Sequence, residues 1–403
     1  MKILHTSDWH LGKELMNVSF FEDMKRFFDW LIETIQQHEV DVLLMSGDLF
    51  DQVNPSQQAL RQYYDFLKKM IPLNCRIILT GGNHDSPAVL NAPRELLNAL
   101  DVVVVGGAPK ELDNLFVPIN KNNQQLIVAA VPYLRDKDIR QSIPGESYHD
   151  KVEMTKRGLQ AYFENVNAHY NAHYKDIPYI VMAHVYAQGA HISESERDIQ
   201  VGNLAGVEAG IFGKEPHYVA LGHIHKPQQV QFPHIRYSGS PIPLSFSEKE
   251  DQKQVVLLEW KEGGFEQQVL HIPLFRRLVA FEGTFEEVKD QVEKYQSTSP
   301  LEDLCELRIR EQFHSQSTLN ALETLMSEPE KAGFRLLKAS VVFENDRGTL
   351  SSTLNESQEI EHLKPEEIFE KRLDLEANLE NREELVMAFK ELMQSLNETS
   401  ETH

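Results

Sequence analysis

The feature that most restricts the fold is a series of short apolar runs, each followed by a cluster of Asp, Asn or His. Lys2–Thr6 leads to Ser7-Asp8-Trp9-His10, and residues 40–45, apolar but for Asp41, lead to Gly47-Asp48. Arg76–Thr80 precedes Gly82-Asn83-His84-Asp85, 179–183 precedes His184, and 218–221 precedes Gly222-His223-Ile224-His225. Apolar runs of this length suit strands buried on both faces. Between them, Phe20, Met24, Phe27, Leu31 and Ile35 fall at helical spacing, as do Leu60, Tyr64, Leu67 and Met70 after Pro55. Another helix is expected after Pro87, with strands at 102–105 and 126–131 and a hairpin about Gly263-Gly264 joining 255–260 to 265–272. Short buried strands separated by helices predict an α/β layered domain over residues 1–272.

From about Pro273 the pattern changes. Strands at 278–281, 304–309 and 336–343 alternate with helices at 285–295 and 318–326, which predicts a small α+β unit over 273–345. Residues 346–403 begin with a polar linker rich in Ser, Thr and Asn. They continue with two helices carrying Ile368, Phe369 and Leu373, then Leu385, Phe389, Leu392, Met393 and Leu396. The apolar stripe of that tail either packs on its own chain or docks a partner. Cys75 and Cys305 form no metal-binding or disulfide pattern and fit a reducing cytosol. No apolar run suits a membrane span, and the opening Met-Lys-Ile-Leu-His-Thr-Ser-Asp meets charge too early for a signal-peptide core. A cytoplasmic protein that does not engage membranes is expected.

The five polar clusters carry the chemistry. Open α/β sheets bind ligands at the carboxyl ends of their strands, so five loops would bring these side chains to one edge. Any one cluster alone is more often a turn or a satisfied loop residue; five in series are not coincidence. Imidazole, carboxylate and amide oxygen without thiolate suit Mn, Fe or Zn better than an all-oxygen Mg or Ca cage. Asp8, His10, Asp48, Asn83, His184, His223 and His225 are too many ligands for one tetrahedral ion and suit two ions sharing a carboxylate. Such pairs assist phosphoester displacement. His84 is then placed to protonate a leaving oxygen, with Asp85 expected to orient it.

These blocks resemble the calcineurin-like metallophosphoesterase superfamily and, within it, the bacterial SbcD nuclease-subunit family. The resemblance rests on MKILHTSDWHLGK, GDLFDQVNPS, GGNHDSPAVL, SERDI at 195–199 and LGHIHKPQQV followed by RYSGSPIPLSFSE. The last is more specific than metal ligation requires, since 238–243 offers no ligand chemistry. The resemblance implies a layered α/β metallophosphoesterase sandwich, two central sheets flanked by helices, with a small α+β capping domain and a C-terminal helical tail. It implies two manganese ions, one held by Asp8, His10, Asp48 and His225 and the other by Asp48, Asn83, His184 and His223. His84 would act as general acid, supported by Asp85. The cap at 273–345 would contact DNA, helices at about 360–397 would bind the SMC-like ATPase SbcC, and helices near 55–70 and 87–99 would form a homodimer. One departure stands out: Phe50-Asp51 follows Gly-Asp-Leu where archaeal and eukaryotic counterparts tend to carry a histidine.

The implied activity is exonuclease action on double-stranded ends and endonuclease action on single-stranded and hairpin DNA, in end processing, repair, recombination and replication. A Ser/Thr phosphatase would show an Arg soon after the second block and Gly-Asn-His-Glu in the third. A small-nucleotide phosphodiesterase needs neither cap nor tail, and a scaffold with vestigial metals would not keep all seven ligands. The net charge of -22 opposes unaided DNA binding, yet residues 341–403 hold 16 acidic against 6 basic residues. Arg135, Lys137, Arg140, Lys151, Lys156, Arg157, Arg276, Arg277, Arg308 and Arg310 are candidate local DNA contacts.

Overall fold

The computed structural model describes residues 1–343 except 122, 141–145, 192, 194–195, 197–205, 262 and 328–332; beyond 343 it describes Phe369, Leu385 and Phe389. The chain opens with β1 (Lys2–Thr6), a small hairpin of β2 (Glu14–Leu15) and β3 (Val18–Ser19), and α1 (Phe21–His38). Next come β4 (Val42–Ser46), α2 (Gln57–Met70), β5 (Arg76–Thr80), the short α3 (Pro87–Asn91) and α4 (Arg94–Asn98), and β6 (Val102–Val105). β7 (Phe116–Lys121), β8 (Gln124–Ala130), α5 (Asp136–Ile139), α6 (Tyr148–His173), β9 (Tyr179–His184) and β10 (Tyr218–Gly222) follow. β11 (Gln228–Val230), β12 (Phe232–Tyr237), β13 (Gln254–Lys261) and β14 (Gly264–His271) complete the α/β region. The remainder is β15 (Leu278–Gly283), α7 (Phe285–Lys294), β16 (Asp303–Glu311), α8 (Gln316–Ser327) and β17 (Phe334–Phe343).

Two six-stranded sheets form the layered sandwich. The first runs β14-β13-β1-β4-β5-β6, with β1, β4, β5 and β6 parallel and the β13–β14 hairpin antiparallel beside β1. The second runs β11-β12-β10-β9-β8-β7, with β12, β10, β9 and β8 parallel. Side-chain alternation assigns the faces. Ile3, Val42, Leu44 and Ile78 enter the core between the sheets with Val128, Val181, Val219 and Val256. Leu4, Leu43, Met45, Ile77 and Leu79 point the other way, onto Met24, Phe27 and Leu31 of α1 and Phe66 of α2. A strand that feeds two cores must be apolar at every position, which is why these runs show no alternation.

Helix starts obey local chemistry. Ser56 and Ser86 cap α2 and α3 by accepting from Ala59 N and Val89 N. The long α6 had no counterpart among the expected helices; its one-sided pattern is weak and Gly158 interrupts it. That glycine is needed because a Cβ there would lie 2.3 Å from the Ile139 carbonyl of α5. The edge strands β7 and β11, and β12 beside β11, have no counterpart among the expected strands either.

The chain divides into two compact units. The first is Met1–Ala280 with Gln296–Glu306 and Glu330–Leu337, so it takes in part of the region read as a cap. The second comprises Phe281–Tyr295, Leu307–Pro329 and Lys338–His403. β15, β16 and β17 form a three-stranded sheet in that order, accompanied by α7 and α8. The linker and docking helices expected over 346–403 lie outside the described residues, except that the Phe369 and Phe389 rings stack with centroids 4.0 Å apart. Cys75 and Cys305 are buried free thiols. Among the described residues no helix is long and apolar enough to cross a membrane.

Candidate metal centre

All five polar clusters meet at the carboxyl ends of the central strands. The first sheet brings Asp8 and His10 after β1, Asp48 after β4, and Asn83, His84 and Asp85 after β5. The second brings His184 at the end of β9, and His223 and His225 after β10. Apart from the half-buried Asn83, these residues are buried. Potential ligand atoms of Asp8, His10 and His225 lie within 4.8 Å of one another, as do those of Asp8, Asp48 and His184, and of His10, Asp48 and His84.

The loops fit together closely. Backbone N–H groups of Asp8 and His10 donate to the carbonyls of Gly47 and Asp48. Asp8 Oδ1 accepts from His223 N at 2.8 Å, and Asp48 Oδ1 accepts from His84 N at 2.9 Å, so each carboxylate ties one loop to the next. A side chain at Gly82 would put its Cβ 2.1 Å from Asp48 Oδ1, and one at Gly222 would lie 1.7 Å from the Ser46 carbonyl. Asp8, His10 and Asp48 take φ values of 54°, 47° and 54°, and His223 takes 102°. Left-handed backbone at four non-glycine residues in one site is strain that the surrounding packing must hold.

Hydrogen-bond roles show that the centre is built for cations. His184 Nδ1 faces the Ser46 carbonyl at 3.0 Å, and a carbonyl only accepts, so Nδ1 carries the proton. Nε2 faces Asn83 Oδ1 at 2.9 Å and Asp48 Oδ2 at 3.3 Å, donating to them when the ring is protonated and presenting its lone pair beside theirs when a cation takes the proton's place. His10 and His225 repeat the pattern. His225 Nδ1 lies 3.4 Å from Glu248 Oε1, His10 Nδ1 stands 3.3 Å from Asp51 Oδ1 in an ion-pair contact, and the two Nε2 atoms face each other at 3.1 Å. Nitrogen and oxygen acceptors that converge in this way need positive charge among them, which a ring proton or a bound divalent cation can supply. His223 Nε2 is buried without a hydrogen-bond partner, as a ligand nitrogen would be.

Electrostatics agree. Burial would raise Asp48, but His184, His84 and His10 hold its carboxyl well below the usual carboxylate range. Burial depresses His184, yet Asp48 and Asp8 overcome it and lift the ring to about 9, so this point favours positive charge. Asp8 is raised to about 6 by burial and by Asp48, against the pull of His184 and His225. Burial keeps His10 below its ordinary value, and burial with the His184 charge does the same to His223.

Asp85 stands elsewhere than expected. Its carboxylate accepts from Gly82 N at 2.9 Å, Phe50 N at 3.0 Å and Leu49 N at 3.1 Å, so it pins two ligand loops together. His84 Nδ1 instead meets the Asp51 carbonyl at 2.8 Å, and that carbonyl supplies the ring orientation expected of Asp85. The reason is geometric: a carboxylate following a turn residue folds back onto nearby N–H groups. Asp51 and Glu248 were missed as supporting residues. Among the basic candidates, Arg140 is buried between Asp136 and Glu146, and Arg276 grips Asp23 through both Nε and Nη2, so neither is presented to a phosphate backbone.

The calcineurin-like phosphoesterase family model matches residues 1–227. The SbcD component of the Escherichia coli SbcCD nuclease is 32% identical over 394 residues, covering 93% of this chain and 93% of that one. Proteins of the same name from Rhodobacter capsulatus and Bacillus subtilis are 36% and 31% identical. They cover 68% and 65% of this chain, and 70% and 67% of their own lengths.

Proposed function

Because this chain belongs to the calcineurin-like phosphoesterases and, within them, to the SbcD nuclease-subunit family, we propose that it is the metal-dependent DNA nuclease subunit of an SbcCD-type complex. It is a phosphoester hydrolase with a His/Asp centre for divalent metals. The observation that carries the reading is the convergence of His, Asp and Asn ligand atoms, those of Asp8, His10 and His225 and those of Asp8, Asp48 and His184 each lying within 4.8 Å of one another, with Asn83 Oδ1 beside His184 Nε2. Asp8, His10, Asp48 and His225 would hold one ion and Asp48, Asn83, His184 and His223 the other, with manganese the preferred metal. Bound there, two divalent ions would stabilise charge on the phosphoryl oxygens and lower the pKa of a water.

The chain's own residues do the rest. His84, its Nδ1 fixed by the Asp51 carbonyl, delivers a proton to the departing oxygen from the side of His10 and Asp48. Asp85 holds the loops bearing Asp48 and His84 at a constant separation through three backbone N–H groups. The substrates proposed are double-stranded ends, cut exonucleolytically, and single-stranded or hairpin DNA, cut endonucleolytically. The setting is end processing, repair and recombination in the cytoplasm. An SbcC-type ATPase would dock on the helices at about 360–397, residues 273–345 would touch DNA, and helices near 55–70 and 87–99 would pair two copies. The net charge of -22 supports the need for a partner, since it leaves unaided DNA binding weak.

The test is a Mn²⁺-dependent assay on hairpin DNA beside a small phosphodiester, each with and without the ATPase. Hairpin cleavage stimulated by ATP and the partner is expected. Turnover of the small diester alone would replace the nuclease reading with that of a small-molecule phosphodiesterase.

A further inference from the structure

Two buried carboxylates stand behind the histidines of one proposed ion, while a backbone carbonyl serves the other. Asp51 Oδ1 stands 3.3 Å from His10 Nδ1 as an ion-pair partner and Glu248 Oε1 lies 3.4 Å from His225 Nδ1, whereas the Ser46 carbonyl backs His184. Glu248 is fully buried and held from several sides. Its Oε2 accepts from Lys253 Nζ at 2.5 Å, Ser240 Oγ at 3.2 Å and Leu244 N at 3.3 Å, and its Oε1 accepts from Ser245 Oγ at 3.4 Å. Lys253 Nζ also donates to the His225 carbonyl at 3.0 Å, and Glu196 Oε1 accepts from His225 N at 2.8 Å. The Ser-Gly-Ser-Pro-Ile-Pro stretch, with no ligand of its own, contributes Ser240 to this cage, and Leu244 and Ser245 just beyond it contribute two further donors. Gly239, at φ 80°, lets it run against the ligand loop, since a Cβ there would lie 2.6 Å from the His225 carbonyl.

These carboxylates act through the local charge on the oxygen beside Nδ1 rather than through a long-range field. Glu248 is paired with Lys253, and Asp51 Oδ1 lies 3.1 Å from Lys13 Nζ, so each acid is largely offset. What remains is orientation: an acceptor at Nδ1 selects the tautomer whose Nε2 is bare and aims it at the ion. A carbonyl does the same more weakly, being uncharged.

We propose that Asp51 and Glu248 are positioning residues that make the His10–His225 ion the tightly held one and the His184–His223 ion the exchangeable one. The proposal rests on the reading of these histidines as ligands. Calorimetric titration of Mn²⁺ into the metal-stripped full chain, with free Mn²⁺ followed by electron paramagnetic resonance, tests it. Wild type should show two binding events of distinct affinity. Asp51→Ala, and separately Glu248→Leu with Lys253→Met, should weaken the tighter event by about 10–100-fold and leave the other in place. Asp51→Asn, which keeps an acceptor oxygen but loses its charge, should recover only part of the loss. Thermal melting of each metal-free variant reports its fold, and if the double variant is unfolded, the two Asp51 variants decide the matter. Two unchanged events in Asp51→Ala would overturn the proposal while leaving the ligand reading intact. Failure of wild type to bind two ions would overturn both.

Discussion

The two sheets of the sandwich contribute different chemistry to one centre. The first supplies every oxygen donor, Asp8, Asp48 and Asn83, together with His10 and the proposed acid His84. The second supplies imidazoles alone, His184, His223 and His225. In the proposed ligand sets each ion draws on both sheets, so the full set is assembled only where β4 and β5 of the first pack against β8, β9 and β10 of the second.

The largest expected effect comes from the shared oxygen. Asp48→Asn should remove both ions and lower Mn²⁺-dependent cleavage by about 10⁴-fold or more, since metal catalysis supplies several kcal/mol. His184→Ala, on the second sheet, should remove one ion and keep the other. Equal stoichiometry for the two variants in a binding titration would erase the contrast between the sheets. Next, His84→Asn should lower cleavage by about 10²–10⁴-fold with both ions retained, and activity near wild type would remove it from the acid role.

A smaller effect probes where the sheets touch. Gly222→Ala would drive a Cβ into the Ser46 carbonyl and should cost about 3 kcal/mol in urea unfolding, whereas Gly210→Ala, with open space around it, should stay within about 0.5 kcal/mol. Equal stabilities would mean that the sheets can part without penalty.

The last test reads out gradually with pH and uses the polar contact that crosses between them. His5 Nδ1 on β1 lies 3.0 Å from the Tyr218 hydroxyl on β10, and burial pushes the ring down to about 3. Its folded value is below its unfolded one, so its contribution is complete above about pH 6.5 and is lost as pH falls toward 3. Metal-free protein should lose about 1.4 kcal/mol per pH unit in that window through this residue. His5→Gln should flatten that slope; identical slopes would show that His5 is not what ties the sheets against acid.

Much of this was legible in the sequence. Lys2–Thr6, Arg76–Thr80 and Val102–Val105 have the bounds that their apolar runs predict, because strands buried on both faces leave unbroken runs. The clusters following the strands were legible for a related reason: metal ligands must be particular residue types at strand ends. The supporting residues were not. Glu248 is 23 positions from His225, and no spacing rule joins a carboxylate to the back of an imidazole. Its one trace was a motif too specific for a loop without ligands. Asp85 misled because adjacency to His84 suggests partnership, while the turn sends its carboxylate to backbone N–H groups. Helix α6 escaped because Gly158 answers to the Ile139 carbonyl, a neighbour that periodicity does not reveal.

The left-handed backbone at Asp8, His10, Asp48 and His223 reaches beyond catalysis into how such a chain changes over generations. Each strained residue costs on the order of 1–3 kcal/mol, so selection for stability alone would replace these residues among the first. Only the demand for activity keeps them. In a descendant that no longer cut its substrate, these four positions should drift early, toward glycine or asparagine, and the protein should become harder to unfold as it became useless.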